Sequence, residues 1–208
     1  MAKKKKQAKT KGERMIKLYN QDCFRLVPSM DDNSIDMVLT DPCYDLSKEQ
    51  MLVLSKEFFR ICKGAIYIFC RPENQWVPEP DQYLFWAKPI STKNTSKRYS
   101  RFVEMIFLYQ GEKQWNTASH WSNYVNIFID RVDSIAEHEF RKPPSLITRL
   151  ILNHSDENDI IFDPFFGSAV VAEVAKLHNR NFIGCEIKKH LYILDFPDRI
   201  AQFRYNVL

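Results

Sequence analysis

The chain has 208 residues, 45% hydrophobic and 13% aromatic, enough to bury one sizeable core and with nothing that divides it in two. It contains neither an uninterrupted apolar run of about 18 residues nor an apolar signal region, which excludes a membrane span and secretion as expectations and points to the cytoplasm. A net charge of +4 says little by itself.

In chain order, residues 1–14, MAKKKKQAKTKGER, lack apolar periodicity and read as a flexible basic tail, either a non-specific phosphate contact or a solubilising end. The rest, 15–208, reads as a single domain. Met15 to Tyr19 is a short strand, Asn20 to Asp22 a turn, and Cys23 to Met30 a brief helix limited by Pro28. Ile35 to Leu39 is an apolar run of the kind that forms a buried parallel strand, ending at Asp41, Pro42, Cys43 and Tyr44. Ser47 to Lys63 reads as a helix capped by Ser47 and Gln50 and ended by Gly64, with GAIYIFC after it as a buried strand. YLFWAK and RFVEMIFLYQ are two further strands, in the second of which Glu104 either pairs inside the fold or faces water. Residues 71–100 and 111–137 are loop-rich. The first carries Lys, Arg, Ser and Thr, the second Trp115, Trp121 and Tyr124, so both are candidate phosphate- or base-contacting loops, with a solvated loop and sheet packing as the alternatives. His120 and His138 read as structural. Pro143 and Pro144 open a helix, SLITRLILNHS. IIFDPFFGS then repeats the strand-into-Asp-Pro pattern and leads into a helix, AVVAEVAKLH, and a strand, RNFIGCE; the segment after it reads as helical to Leu194 with a break at Pro197. Cys23, Cys43, Cys62, Cys70 and Cys185 lack CxxC spacing and read as free buried thiols, with no metal site implied.

Two strand ends carry the chemistry. In an open α/β sheet, ligands gather beyond the carboxyl ends of parallel strands. Asp41 offers a carboxylate, Pro42 a carbonyl and Tyr44 a flat face, a set that can hold a planar aromatic amine by its hydrogens. An Asp-Pro turn at a strand end is also an ordinary structural feature. The second end, Asp163 to Ser168, opens a helix, and Glu186 follows about 20 positions on, where dinucleotide-type folds place the acid that binds a ribose. A nucleoside-bearing cofactor is therefore expected.

DPCY at Asp41 to Tyr44 resembles the (D/N/S)PP(Y/F/W) motif of amino-methylating DNA methyltransferases. DPFFGSAVV at Asp163 to Val171 is similar to their DPFxGSGTT cofactor motif, and HEFRKP at His138 to Pro143 resembles the H-x-x-x-K-P run that precedes it. The catalytic motif precedes the cofactor motif, the permuted order of the beta group. The resemblance implies a Rossmann-like, mostly parallel, seven-stranded α/β methyltransferase sheet with helices on both faces, one antiparallel strand and circularly permuted motifs. It implies a methyl transfer from S-adenosylmethionine to the N6 of adenine in DNA. The duplex would be bound with its target base flipped out onto Tyr44, its amine held by Asp41 and Pro42. The cofactor would be held by Asp22, Lys142, Asp163, Pro164, Phe165, Gly167, Ser168 and Glu186. The alternatives are an N4-cytosine enzyme, an RNA or protein acceptor, or a degenerate relative that only binds. Two positions depart from the pattern: Cys43 replaces the second proline, and Ala169, Val170 and Val171 replace Gly-Thr-Thr. The short loops suggest a short recognition site, a homodimer or a partner subunit.

Overall fold

The computed structural model describes residues 15–71, 77–88, 102–111, 116, 125–130 and 141–188. The basic tail, most of both candidate contacting loops, His120, His138, Trp115, Trp121, Tyr124 and the segment after residue 188 lie outside them.

Among the described residues, eight strands form one sheet: β1 (Ile16–Tyr19), β2 (Ile35–Thr40), β3 (Cys62–Cys70), β4 (Gln82–Ala87), β5 (Val103–Tyr109), β6 (Ile127–Ile129), β7 (Ile160–Asp163) and β8 (Asn181–Cys185). Their order is β1-β8-β7-β2-β3-β5-β4-β6. All neighbours run parallel except those of β5, which is antiparallel to both β3 and β4. The expected seven strands become eight because β6 pairs with β4 at the sheet edge. At three residues it is too short for alternation to reveal it in the sequence.

Among the described residues, four α-helices cover the two faces. On one, α1 (Cys23–Leu26) and α2 (Lys48–Ile61) pack on Val38, Ile66 and Ile68; on the other, α3 (Pro144–His154) and α4 (Val170–Leu177) pack on Met37, Leu39 and Tyr67. The apolar residues of β2 serve both cores, which is why it reads as a continuous apolar run. Helix α2 starts with a capping box: Ser47 accepts from the Gln50 N–H, and the Gln50 side chain accepts from the Ser47 N–H. Pro144 opens α3, where its missing N–H costs nothing.

Gly64 does not end α2. The helix stops at Ile61, Cys62 is already extended at φ −102 and ψ 121, and Gly64 lies inside β3. The geometric demand falls on Gly111 at φ +60, where a Cβ would stand 2.5 Å from the Gly64 carbonyl oxygen. Of the five cysteines, Cys43 is exposed and the other four are buried. Among the described residues, no helix is long and apolar enough to cross a membrane.

Candidate active site

Strands β2 and β7 are parallel neighbours whose onward connections diverge: β2 leads through α2 to β3 on one side, and β7 through α4 to β8 on the other. This is a topological switch point, where a crevice opens beyond the carboxyl ends of the strands. The pairing of Val38 with Phe162 sets the two acidic corners side by side. The Thr40 hydroxyl donates to Asp163 Oδ1 at 2.9 Å, and the Phe165 N–H donates to the same oxygen at 3.0 Å. Burial pushes the Asp163 carboxyl up to about 7; these two hydrogen bonds oppose the shift, and the nearby Asp41 and Glu186 charges add to it.

A cavity of about 330 Å³ fills the crevice, within the range of small-molecule sites at roughly 300–1,000 Å³. Its walls include Asp41, Lys142, Asp163, Phe165, Gly167, Ser168 and Glu186. Gly167, at φ +42, donates its N–H to Glu186 Oε2 at 3.2 Å, and the Lys188 N–H donates to Oε1 at 2.9 Å. The Glu186 carboxylate is thereby fixed at the end of β8.

Arg141 also lines the cavity, a residue the sequence reading passed over. Its side chain is 1% exposed, forks onto Glu173 of α4 at 3.3 and 2.5 Å, and donates to the Ser168 carbonyl at 3.4 Å. It ties the turn after β7 to the helix that follows. That turn bends through Ala169 at φ +60, a left-handed conformation that costs an L-residue about 1–2 kcal/mol. The only signals in the sequence are an arginine inside HEFRKP and a glutamate inside the apolar helix AVVAEVAKLH.

Asp41 stands opposite this turn. Its Oδ2 accepts from the Lys142 ammonium, while Oδ1 is buried without a hydrogen-bond partner among the described residues. Lys142, 6% exposed, also lies 3.2 Å from Glu104, and Glu104 accepts from Lys88. Four alternating charges thus run Asp41, Lys142, Glu104, Lys88. Burial works against the charge on Lys142, but Asp41 and Glu104 together hold its pKa above the usual lysine value. Burial raises the Asp41 carboxyl, and Lys142 pulls it back. Glu104 is below the ordinary range: burial would raise it, and the two ammonium groups outweigh that. Lys142, expected beside a cofactor, lines the cavity and is paired there with Asp41.

Pro42 and Tyr44 line an adjoining hollow of about 20 Å³, room for about one water molecule. The Arg71 guanidinium lies 3.5 Å from the Tyr44 ring centroid, on its face. Asp22 and Pro164 are not among the residues lining either space. Asp22 caps α1 by accepting the Phe24 N–H at 2.9 Å, and the Pro164 carbonyl accepts from the Cys185 thiol at 3.3 Å.

The model of a DNA methylase family matches residues 35–194. The type II methyltransferase M2.MboI of Moraxella bovis is 23% identical over 246 residues, covering 90% of this chain and 88% of that protein. M.BglII of Bacillus subtilis is 23% identical over 242 residues, covering 85% of this chain and 67% of that protein. Among solved structures, the M1.HpyAVI complex with S-adenosylmethionine superposes with a TM-score of 0.67 at 22% identity, covering 91% of this chain and 100% of that one. The cytosine-N4-specific PvuII DNA methyltransferase superposes with a TM-score of 0.66 at 16% identity, covering 92% and 94%.

Proposed function

Since this chain belongs to the N6/N4 DNA methylase family, we propose that it transfers a methyl group from S-adenosylmethionine to the exocyclic N6 of adenine in DNA. The observation that carries this reading is the buried Oδ1 of Asp41, without a hydrogen-bond partner among the described residues, in the wall of a cavity also lined by Asp163, Gly167, Ser168 and Glu186. A buried carboxylate oxygen without a donor is costly unless a ligand supplies one.

The cavity suits a cationic nucleoside. Asp45, Asp163 and Glu186 line it against Lys188, while Arg141 is matched by Glu173 and Lys142 by Asp41 and Glu104. Bound there, S-adenosylmethionine supplies an electrophilic methyl group on a sulfonium. Glu186 receives the ribose hydroxyls, Phe165 packs on the adenine, and the Asp163 turn with Gly167 and Ser168 faces the methionine part. Asp22 and Pro164 support this pocket through the loops they fix, rather than by lining it.

On the other side, Asp41 Oδ1 and the Pro42 carbonyl accept the hydrogens of the target amine. Its nitrogen lone pair is delocalised into the ring, so two acceptors draw it toward a tetrahedral shape and stabilise the positive charge that grows on it. Tyr44 stacks on the base, which leaves the double helix to reach the site. Arg71 leaves the Tyr44 face as the base arrives. The segments 71–100 and 111–137 on either side of β4 and β6, with the basic tail, contact DNA, and a second copy or a partner subunit completes recognition. An aspartate at the head of the motif resembles the adenine-modifying members.

Purified protein incubated with labelled cofactor and unmethylated DNA, followed by nucleoside analysis, tests this. N6-methyladenine is the expected product. N4-methylcytosine without N6-methyladenine overturns the choice of base. DNA binding with no heat of cofactor binding in calorimetry overturns the enzyme reading and leaves a degenerate binding module, in which Cys43 and Ala169 mark the lost chemistry.

A further inference from the structure

Nothing in the transfer step requires more than one cation beside Asp41, yet the structure sets an alternating row of four charges there, with Lys142 buried and Asp41, Glu104 and Lys88 half-buried. Each carboxylate oxygen left unmet inside a fold adds to the desolvation cost of the pair. Here Lys142 takes one oxygen of Asp41, and the other has no hydrogen-bond partner among the described residues; Glu104 Oε2, likewise without a hydrogen bond there, lies 3.2 Å from the same ammonium and competes for its charge. The members come from separate elements: the end of β2, the residue ahead of Pro143, β5, and the residue after β4. Aromatic faces confine the cations, with Lys142 5.1 Å from the Phe69 centroid and 5.8 Å from that of Trp86, and Lys88 4.7 Å from Trp86.

We propose that Lys142 and Glu104 are an opposed pair of positioning residues for Asp41. The ammonium holds Oδ2 and keeps the carboxylate ionised inside the fold, and Glu104 draws off part of that field so that Oδ1 stays a strong acceptor for an amine hydrogen. The proposal rests on the amino-methylation reading for its purpose, but its physical content belongs to the chain alone. A carboxylate paired to a lysine without Glu104 would be ionised but weakly basic, a poorer partner for positive charge growing on nitrogen. With Glu104 but no lysine, it would take up a proton and cease to be an acceptor-only group.

The other groups facing Asp41 are Lys88 beyond Glu104, the Tyr44 hydroxyl in its own turn, Cys70 at the end of β3 and Asp163 on β7, with Arg71 beyond the Tyr44 ring. Because Asp163 and Asp41 interact, a rate profile alone would mix the two groups. The Asp41 carboxyl is therefore followed directly, by carbon NMR of the full chain labelled at aspartate and glutamate, its signal assigned by its loss in Asp41→Asn.

Lys142→Met is expected to move the Asp41 titration up by about 1–3 units, and Glu104→Gln to move it down by about one unit. Lys142→Arg is expected to restore it to within about half a unit of the wild type, since the positive charge is kept. The acid limb of DNA methylation follows in the same opposed directions. Shifts of one sign in both charge-removing variants, or none in either, overturn the proposal. Should Lys142→Met fail to fold, Glu104→Gln still decides: a downward shift supports it, and an unmoved or upward one overturns it. Opposed shifts in a protein that methylates no DNA uphold this inference and end the functional reading. Methylation of DNA with unmoved titrations does the reverse.

Discussion

The Thr40 hydroxyl hydrogen-bonds Asp163 across 123 residues of sequence, from one acidic strand end to the other. Thr40 is 1% exposed and Asp163 3%, so the bond is shielded from water and links β2 to β7 where the cavity opens. Thr40→Val keeps the shape and removes the donor. The change is expected to cost about 1–3 kcal/mol in urea unfolding, the penalty for a buried acceptor stripped of a donor. A loss well under 1 kcal/mol would show that the Phe165 N–H alone satisfies Asp163.

Asp163 should also make stability depend on pH. Its carboxyl titrates near 7 in the fold against 3.8 in the reference state, so between these values the folded chain holds more protons than the unfolded one. The stability contributed by this group is full below about 3.8, falls as pH rises and is gone above about 7. Asp163→Asn mimics the protonated form. Thermal unfolding is expected to favour the variant at pH 8, by up to about 4 kcal/mol at about 1.4 kcal/mol per unit, with the gain shrinking as pH falls toward 4. A difference that does not vary with pH would contradict the assignment.

Asp41→Ala separates chemistry from cofactor binding. Turnover is expected to fall by at least about 10²-fold, the scale for losing a group aimed at charge in the transition state, while S-adenosylmethionine affinity changes by only a few fold. Calorimetry and single-turnover methylation read the two quantities. Cofactor binding lost together with turnover would refute the division of labour between the Asp41 and Asp163 corners.

The Arg141 and Glu173 pair predicts non-additive behaviour. Glu173→Ala leaves a buried guanidinium without its carboxylate and is expected to cost about 3–5 kcal/mol. Arg141→Met with Glu173→Leu replaces the pair by apolar volume and should recover most of that loss in urea unfolding. Cofactor affinity should not recover with it, since the Ser168 carbonyl has lost its donor.

Much of this arrangement was legible in the chain itself. Apolar runs ending in Asp-Pro at Asp41 and Asp163 identify two buried strands and their ligand-facing ends, because a strand covered on both faces has no polar alternation to obscure it. The capping residues Ser47 and Gln50 mark where α2 begins, since both act within one turn. What stayed hidden depends on partners distant in sequence. Arg141 and Glu173 each look like an ordinary charge until α4 is laid against the segment before α3. Lys142 sits in a run that resembles a cofactor motif, yet its contacts come from Asp41 and Glu104, 101 residues back in the first case. Gly64 looks like a helix stop only because the chain turns from helix to strand without a loop.

The guanidinium of Arg71 resting on Tyr44 makes arrival at that ring a replacement rather than an addition. Any planar guest must outbid a resident worth about 0.5–2 kcal/mol, so loose nucleosides in solution meet a tenanted surface. A ring delivered by a long polymer, whose phosphates can rehouse the evicted cation, meets a negotiable one. If a base stacks on Tyr44 as proposed, displacing Arg71 would weaken the binding of a free nucleoside by about 2- to 30-fold relative to an unoccupied ring.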